Sequence, residues 1–363
     1  MNFYMPTKVF AEENSVRKHK EEFAKLGTKA LIVTGRNSSK INGSLQDVEE
    51  SLQALSMEYV IFNEIEENPS VETCEKAAAY ALEQGCDMVI GIGGGSPLDA
   101  SKAIALLMKN PDMDGEVFYE NKELAWVPVA AVPTTAGTGS EVTPYAILTV
   151  HKWKTKKSIS HRIFPEVAFV DARYLTYTSK RVLISTAVDA LAHLVEGRIN
   201  VKANPYNQML SEYGMKLWGQ AKEALRKEEP SMEEYELLME ASTVAGMTIS
   251  HTGTSLPHGM SYYLTYENGI SHGKAVSIFL TAYMKGCQEE GLVEKITDLL
   301  GFENLDEMTA FLKEVLGEVT VSRADVERYV AELSADQKRL ASTPYPVNAE
   351  VLMGMYEASV SIL

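Results

Sequence analysis

Cysteine is scarce in this chain of 363 residues, where it occurs only as Cys74, Cys86 and Cys287. None of the three belongs to a C-x-x-C pair, so the sequence indicates neither a disulfide framework nor a thiolate zinc site. No apolar run approaches the ~18 residues that a membrane-spanning helix needs. Residues 1–6 also lack the basic stretch and apolar core of a secretory signal. We therefore expect a cytoplasmic protein.

Basic residues are outnumbered, because 34 Lys and Arg face 50 Asp and Glu and leave a net charge of −16. Such an acidic chain argues against nucleic acid or an anionic membrane as the partner. A small molecule is the expected partner instead. The length is sufficient for two domains of ordinary size.

The first half of the sequence alternates short apolar runs with amphipathic stretches. The runs at 29–34, 58–62, 87–92, 128–133 and 167–171 predict buried strands, and the intervening stretches predict helices. This alternation is typical of a parallel sheet with helices on both faces, a Rossmann-like α/β fold. From about residue 185 onward the patterning is helical. We predict an α/β dinucleotide-binding domain over 1–183 and an all-helical domain over 184–363, with a ligand in the crevice between them.

Two loops of small residues follow predicted strands. Residues 93–99 read Gly-Gly-Gly-Ser-Pro-Leu-Asp, and residues 134–141 read Thr-Thr-Ala-Gly-Thr-Gly-Ser-Glu. Glycines allow backbone N–H groups to approach a pyrophosphate, and the first turn of the following helix adds positive potential. Each loop alone could be an ordinary turn. Together, at the carboxyl ends of parallel strands, they favour a nucleotide site.

A carboxylate and three histidines form a candidate metal site. Asp189 and His193 lie four residues apart in an apolar stretch, which places both on one face of a buried helix. Alone they could equally be an Asp–His hydrogen bond in a core. His258 and His272, each followed by glycine, complete a set that suits Fe²⁺ or Zn²⁺ with one position left for substrate. A metal there would activate an alcohol or an aldehyde for hydride exchange.

These motifs resemble those of the iron-containing (group III) alcohol dehydrogenases along essentially the whole chain. The two loops, the stretch Asp-Ala-Leu-Ala-His at 189–193 with Glu196 and Gly197, and the two His-Gly pairs carry the resemblance. It implies the dehydroquinate synthase-like fold, a dimer or larger homo-oligomer, and Asp189, His193, His258 and His272 as metal ligands. It also implies cofactor contacts at Gly35, Asn68, Gly94, Gly95, Ser96, Asp99, Thr134, Thr135, Thr138, Leu148 and Lys157.

The sequence departs from the family pattern after the first predicted strand. Many members carry an acidic residue there that binds the adenosine ribose, whereas this chain has Gly35. A 2′-phosphate would meet no repulsion at this position, and Arg36, Ser38, Ser39 and Lys40 could bind it. We therefore expect NADP(H) to be preferred over NAD(H). The alternative is that the basic side chains are simply exposed on a loop.

A second departure lies four residues after His258. Many members place a proton-relaying histidine at this position, and this chain has Tyr262. A tyrosine with an ordinary pKa of about 10 is a poor base but can donate a proton or orient water. We consider a relay at Tyr262, and the simpler interpretation is that this side chain shapes the pocket.

Two other functions fit the same sequence. A polyol-phosphate dehydrogenase or dehydroquinate synthase-like enzyme shares the fold, but it needs basic residues for a phosphorylated substrate, and Lys274 is the main candidate near the ligand motifs. A non-catalytic nucleotide-binding protein is the other alternative. It gives no reason to keep four metal-binding side chains. The sequence leaves open the substrate, which could be a small primary alcohol, a diol or an aldehyde, and it does not separate iron from zinc.

Overall fold

The computed structural model describes residues 3–363, which form two compact units. One unit is Met5–Thr178, and the other comprises Ser179–Leu363 together with Phe3 and Tyr4. The predicted boundary near residue 183 lies inside a helix that begins at Lys180, so the division falls a few residues earlier than expected. The loop before Lys180 is the natural division, because the helix itself runs without interruption to Arg198.

The α/β unit contains the predicted parallel sheet. Its strands, within the described residues, are β1 (Lys8–Ala11), β2 (Lys29–Thr34), β3 (Glu58–Phe62), β4 (Met88–Gly93), β5 (Val129–Pro133), β6 (Ile147–Val150), β7 (Thr155–Ser158) and β8 (Val167–Val170). Six of them form one sheet in the order β1-β8-β5-β4-β2-β3, and every pairing in it is parallel. Strands β6 and β7 form a separate antiparallel hairpin. The sequence pattern missed β1 and this hairpin, because these three strands are partly exposed and do not form continuous buried apolar runs.

Helices cover the sheet. They are α1 (Ser15–Lys18), α2 (Ser38–Ile41), α3 (Ser44–Ala54), α4 (Val71–Glu83) and α5 (Gly95–Lys109). Short 3-10 segments occur at Lys20–Lys25, Gly115–Tyr119, Ser140–Val142, His151–Trp153 and Ala172–Leu175.

Successive side chains of each strand enter cores on opposite faces. Ile32 of β2 packs in the core that contains residues of α1 and α3, whereas Leu31 packs in the core that contains residues of α4 and α5. The central strands are therefore buried on both sides, and their continuous apolar sequence reflects this.

The direction of the connections reverses between β2 and β4. From β2 the chain moves outward to β3, and from β4 it moves the other way to β5. Such a switch point separates the loops at the carboxyl ends of the two strands and forms the crevice in which open α/β sheets bind ligands. The loops that begin at Gly35, Gly94 and Thr134 follow β2, β4 and β5, which are neighbours in the sheet.

The second unit is helical, as predicted. Its helices are α6 (Lys180–Arg198), α7 (Pro205–Ala221), α8 (Met232–Thr252), α9 (Leu256–Glu267), α10 (His272–Ser277), α11 (Leu280–Lys285), α12 (Leu292–Leu299), α13 (Leu305–Leu316), α14 (Arg323–Ala335), α15 (Gln337–Leu340) and α16 (Ala349–Ser359), with a 3-10 segment at Lys222–Arg226. Helix α6 packs against α7, α8 and α10, and every residue from Ala187 to Arg198 is buried.

Two features of this unit differ from the all-helical prediction. Strands β9 (Thr320–Val321) and β10 (Ser361–Ile362) form a small parallel pair, and segments of two residues are too short to be recognised in a sequence. Phe3 and Tyr4 also pack on this unit, because the Tyr4 N–H donates to His251 Nε2 at 2.9 Å and Phe3 stacks on the same ring. Among residues 3–363, no helix combines the length and apolar character needed to cross a membrane.

Candidate active site

The four predicted metal ligands come together in the helical unit. The Nε2 atoms of His193, His258 and His272 lie 3.9, 3.5 and 3.8 Å from the same carboxylate oxygen, Asp189 Oδ1. Two ligands about 2.1 Å from a tetrahedral metal lie roughly 3.4 Å apart. The separations from Asp189 Oδ1 are therefore close to those of atoms that share one ion, and the donor atoms of Asp189, His258 and His272 all lie within 4.8 Å of one another.

The hydrogen bonding around these atoms supports a metal. Asp189 Oδ1 and His258 Nε2 are both buried, and neither has a hydrogen-bond partner among the described residues. Buried polar atoms without partners are costly, and a bound ion would satisfy both of them. The side chain of His272 is 39% exposed, whereas those of Asp189 and His258 are each 5% exposed. The donor set therefore has one accessible side, which a catalytic metal needs for its substrate.

Helix α6 supplies two of the ligands because of its spacing. Asp189 and His193 lie one turn apart on the same face, and Glu196 extends that face by another turn. His258 lies in the first turn of α9, and His272 is the first residue of α10. Helix packing, rather than sequence proximity, brings the two histidines to α6.

Glu196 orients His258. The fully buried carboxylate accepts the backbone N–H groups of Ser255 and His258 at 3.1 Å each, and it also accepts a hydrogen bond from His258 Nδ1. It thereby caps the start of α9, where Ser255 makes no side-chain cap of its own. With Nδ1–H held by a carboxylate, Nε2 is the nitrogen left to bind a metal. Glu196 was part of the sequence motif, but the sequence alone indicated no role for it. A carboxyl on the same buried helix face as Asp189 was the feature that could have indicated one.

The charges of the site are strongly coupled. Burial alone would lower the pKa of His258, but the carboxylates of Glu196 and Asp189 outweigh it and raise that pKa to about 10. Burial would raise the pKa of Asp189, but the three histidines hold it well below its usual value. Asp189 is thus a carboxylate at any ordinary pH, and a cation bound at the centre of the site would replace the proton that His258 otherwise holds.

Tyr262 lies one helical turn after His258. It is half-buried, and the guanidinium of Arg339 lies 5.4 Å from the centre of its ring. Burial raises the pKa of Tyr262, the charge of Arg339 lowers it, and the charges of Glu196 and Asp189 raise it further. The phenol therefore stays protonated at neutral pH.

The side chain of Lys274 forms a hydrogen bond within the protein. Its ammonium donates to the backbone carbonyl of Glu318 at 3.2 Å. The basic residue expected for a phosphorylated substrate thus forms a hydrogen bond within the protein itself.

In the α/β unit, the two small-residue loops contact each other. The Thr134 N–H donates to the carbonyl of Gly93 at 2.9 Å. Gly93 adopts a φ of +148°, which side chains rarely tolerate, and a Cβ there would lie 2.6 Å from Pro97 Cγ. Gly93 thus allows the abrupt turn from β4 into α5, whose first N–H groups are available to a phosphate.

Asn68 connects three of the predicted cofactor segments. Its N–H donates to Ser96 Oγ at 3.1 Å, its carbonyl accepts from Thr149 at 2.8 Å, and its side-chain oxygen accepts from Lys156 Nζ at 2.8 Å. The predicted contact Lys157 points differently, with its ammonium 4.8 and 4.7 Å from the ring centres of Tyr119 and Trp153. Alternation along β7 is the cause, since adjacent residues face opposite sides.

Other predicted cofactor residues are buried or already bonded. Leu148 is fully buried. Both carboxylate oxygens of Asp99 are used, because Ser140 Oγ donates to Oδ1 at 2.5 Å and the Ile147 N–H donates to Oδ2 at 2.8 Å. Asp99 therefore links α5 to Ser140 and Ile147, which both follow β5 in the chain.

The segment after β2 is only partly available to a phosphate. Ser39 is fully buried and its hydroxyl accepts a hydrogen bond from Thr34 at 2.7 Å, so the prediction that it binds a 2′-phosphate does not fit its position. The three other polar residues predicted there are exposed: Arg36, Ser38 and Lys40.

Family models and solved structures agree with this fold. The model described as iron-containing alcohol dehydrogenase matches residues 6–172, and the C-terminal model of the Fe-containing alcohol dehydrogenase family matches residues 183–359. An iron-containing alcohol dehydrogenase structure from Thermotoga maritima superimposes with a TM-score of 0.90 and 40% identity, covering 99% of both chains.

Curated relatives are more distant. The long-chain primary alcohol dehydrogenase AdhA of Thermoanaerobacter ethanolicus is 29% identical over 75% of this chain and 70% of its own length. An NADPH-dependent butanol dehydrogenase of Clostridium saccharobutylicum is 28% identical over 78% of this chain and 74% of its own. With its parallel sheet, helical second unit and clustered Asp and His side chains, the chain belongs to the iron-containing alcohol dehydrogenase family.

Proposed function

We propose that this protein transfers a hydride reversibly between NADP(H) and a small primary alcohol, diol or aldehyde, with Fe²⁺ held by Asp189, His193, His258 and His272. One observation carries the proposal: a buried carboxylate oxygen without a hydrogen bond faces three imidazole nitrogens within 4 Å. When bound, the metal supplies Lewis acidity to an alcohol or carbonyl oxygen, and the nicotinamide gives or accepts the hydride.

The protein residues prepare the site for this chemistry. Asp189 stays ionised and contributes the negative charge of the donor set, and Glu196 keeps the His258 Nδ1 proton in place. The protonated phenol of Tyr262 can donate a hydrogen bond to an oxygen in the site but cannot act as a base near neutral pH.

The residues after β2 support the NADP(H) preference. No carboxylate occupies position 35, and Arg36, Ser38 and Lys40 are exposed. Arginine forms forked hydrogen bonds with phosphate, which makes Arg36 the strongest candidate. The NADPH-dependent butanol dehydrogenase shows that this cofactor is used by a relative.

Lys156 is the lysine that we propose for the cofactor site in place of Lys157. It contacts Asn68, which also contacts Ser96 at the start of α5. Burial lowers the pKa of Lys156, so an anionic ligand beside it would favour the charged form.

Steady-state kinetics with both cofactors test the preference. We expect kcat/KM for NADPH to exceed that for NADH at least tenfold, and Arg36→Gln to reduce this ratio about tenfold with the NADH value unchanged, because a charged hydrogen bond to phosphate is lost. A clear NADH preference in the unmodified enzyme would contradict the proposal. Lys109→Gln, an exposed change elsewhere in the same unit, is the control.

Metal exchange tests the other half of the proposal. Anaerobically purified protein should contain iron, lose activity with a chelator, and regain it with Fe²⁺. A panel of C2–C6 aldehydes and diols would define the substrate. Turnover of a phosphorylated polyol in preference to all of these would favour the same-fold alternative instead.

We expect the enzyme to act in the cytoplasm as a homodimer or larger homo-oligomer, as the sequence resemblance implies.

A further inference from the structure

A lysine is completely buried beneath the two cofactor loops. Lys102 lies on α5, two turns after the helix begins, and none of its surface is exposed. Its ammonium donates to Ser140 Oγ and to the carbonyl of Tyr145, each at 2.7 Å. Both acceptors belong to the chain segment that follows β5, so one side chain joins the helix to the second loop.

Lys102 does not form a simple ion pair. Its Nζ lies 3.8 Å from Asp99 Oδ1, and that oxygen also accepts the Ser140 hydroxyl at 2.5 Å. The charged groups that act on the ammonium are Asp99 on its own helix and buried Glu141 on the opposite loop. Burial outweighs both carboxylates and lowers the pKa of Lys102 to about 8.

Burying an ammonium is unfavourable, and an apolar side chain of similar length would fill the same space without that cost. A buried charge network of this kind instead fixes one geometry. Here the geometry is that of two loops in close contact. A Cβ added to Gly95 would lie 2.8 Å from Thr138 Cγ2, and one added to Gly94 would lie 3.0 Å from Thr135 Oγ1.

We propose that Lys102 is a positioning residue for the dinucleotide: it ties α5 to residues 138–145 and thereby sets the spacing of the phosphate-binding groups on the two loops. The inference rests on the proposed function, since it assumes that these loops bind NADP(H). Lys102 does not contact the cofactor and acts through the loops that it joins.

Cofactor titration of the metal-loaded enzyme tests this role. NADPH fluorescence gives the dissociation constant without turnover, and initial rates separate the cofactor KM from kcat. Lys102→Met keeps an unbranched side chain that is one atom shorter and removes the three donors of the ammonium. We expect Kd and KM for NADPH to rise about tenfold or more, because the two hydrogen bonds that fix the spacing of the loops are lost, with kcat at saturation falling much less.

Ser140→Ala makes the test independent of whether Lys102→Met folds. It removes one acceptor of the ammonium together with the hydroxyl that donates to Asp99, and it leaves the charge of Lys102 in place. A smaller rise of about threefold is expected, because the ammonium keeps its hydrogen bond to the carbonyl of Tyr145. Lys109→Met is the matched control, since Lys109 is exposed at the end of the same helix. It should leave both constants unchanged.

The results separate the two proposals. If unmodified enzyme binds neither NADPH nor NADH, the proposed function itself is overturned. If it binds NADPH and the folded variants, with normal iron content, bind it equally well, the role of Lys102 is overturned. A rise in the Kd for NADPH with a preserved kcat supports the positioning role of Lys102. A purely structural role would lower thermal stability without raising Kd selectively over kcat.

Discussion

Glu196 has no exposed surface, and both of its oxygens accept hydrogen bonds from the start of α9. In Glu196→Gln the amide cannot hold the His258 Nδ1 proton as a carboxylate does. We expect metal affinity to fall about 10- to 100-fold, the usual effect of removing a hydrogen bond behind a metal ligand. Iron content after dialysis against a series of chelator concentrations measures this.

The control for Glu196 is Glu236→Gln, an exposed change on α8 that should leave metal affinity as it was. Excess Fe²⁺ should restore the activity of Glu196→Gln. Full occupancy at wild-type metal concentrations, together with lost activity, would contradict an orienting role and point to direct participation in the reaction.

At Tyr262 the raised pKa decides the expected pH behaviour. Burial keeps the phenol protonated through the neutral and mildly alkaline range, so it contributes no ionisation between neutral pH and its ordinary pKa of about 10. The kcat/KM–pH profile of Tyr262→Phe should therefore keep the shape of the wild-type profile, with a rate loss of up to about tenfold from one hydrogen bond. Disappearance of one limb of the profile in this variant would instead establish a proton relay.

At the scale of secondary-structure elements, the contact of α10 with α6 places His272. A Cβ on Gly273 would lie 1.7 Å from the carbonyl oxygen of Ser185 and 3.1 Å from Asp189 Cβ. Gly273→Ala must push α10 away from α6 and move His272 from Asp189. We expect a loss of about 1–3 kcal/mol of unfolding free energy from this overpacking, together with weaker metal binding.

Gly354→Ala provides the comparison for that experiment. Gly354 lies within α16, and a Cβ there would have no atom within 4 Å. The substitution should raise the unfolding free energy by about 0.5–1 kcal/mol, because alanine loses less backbone entropy in a helix. Denaturant unfolding of both variants measures the change in unfolding free energy, which should be a decrease for Gly273→Ala and an increase for Gly354→Ala. Equal stability in both would show that α10 can shift without cost.

At the scale of the whole molecule, metal binding should stabilise the folded state. The buried Asp189 with its three histidines is a pre-formed site that the unfolded chain lacks, so metal at about 100 times its dissociation constant contributes about 2.7 kcal/mol. Chelation should then lower Tm by roughly 5–10 °C for a unit of this size. Fe²⁺ should restore it and Mg²⁺, which prefers oxygen ligands, should not. An unchanged Tm on chelation would indicate that no metal is held there.

The amino-acid sequence was sufficient to predict most of the elements and the family. The run 29–34 matches β2 and the run 87–92 matches β4 to within one residue, because a strand buried on both faces must be apolar throughout. The sequence also indicated that Asp189 and the three histidines are candidate ligands, since buried carboxylates and histidines at helical spacing are costly without a metal or a paired charge. The switch from strand to helical patterning likewise indicated the two units.

Packing of the elements, in contrast, determines which side chains are available for binding. Ser39 and Asp99 satisfy the expected pattern but are bonded within the protein, whereas Glu196, Lys102 and Lys156 have partners far away in sequence. The requirement for glycine at position 273 also depends on packing, because it arises only from the close contact of α10 with α6. Local sequence specifies periodicity and residue type. Hydrogen-bond partners between distant segments and the space left for a side chain depend on how the elements pack.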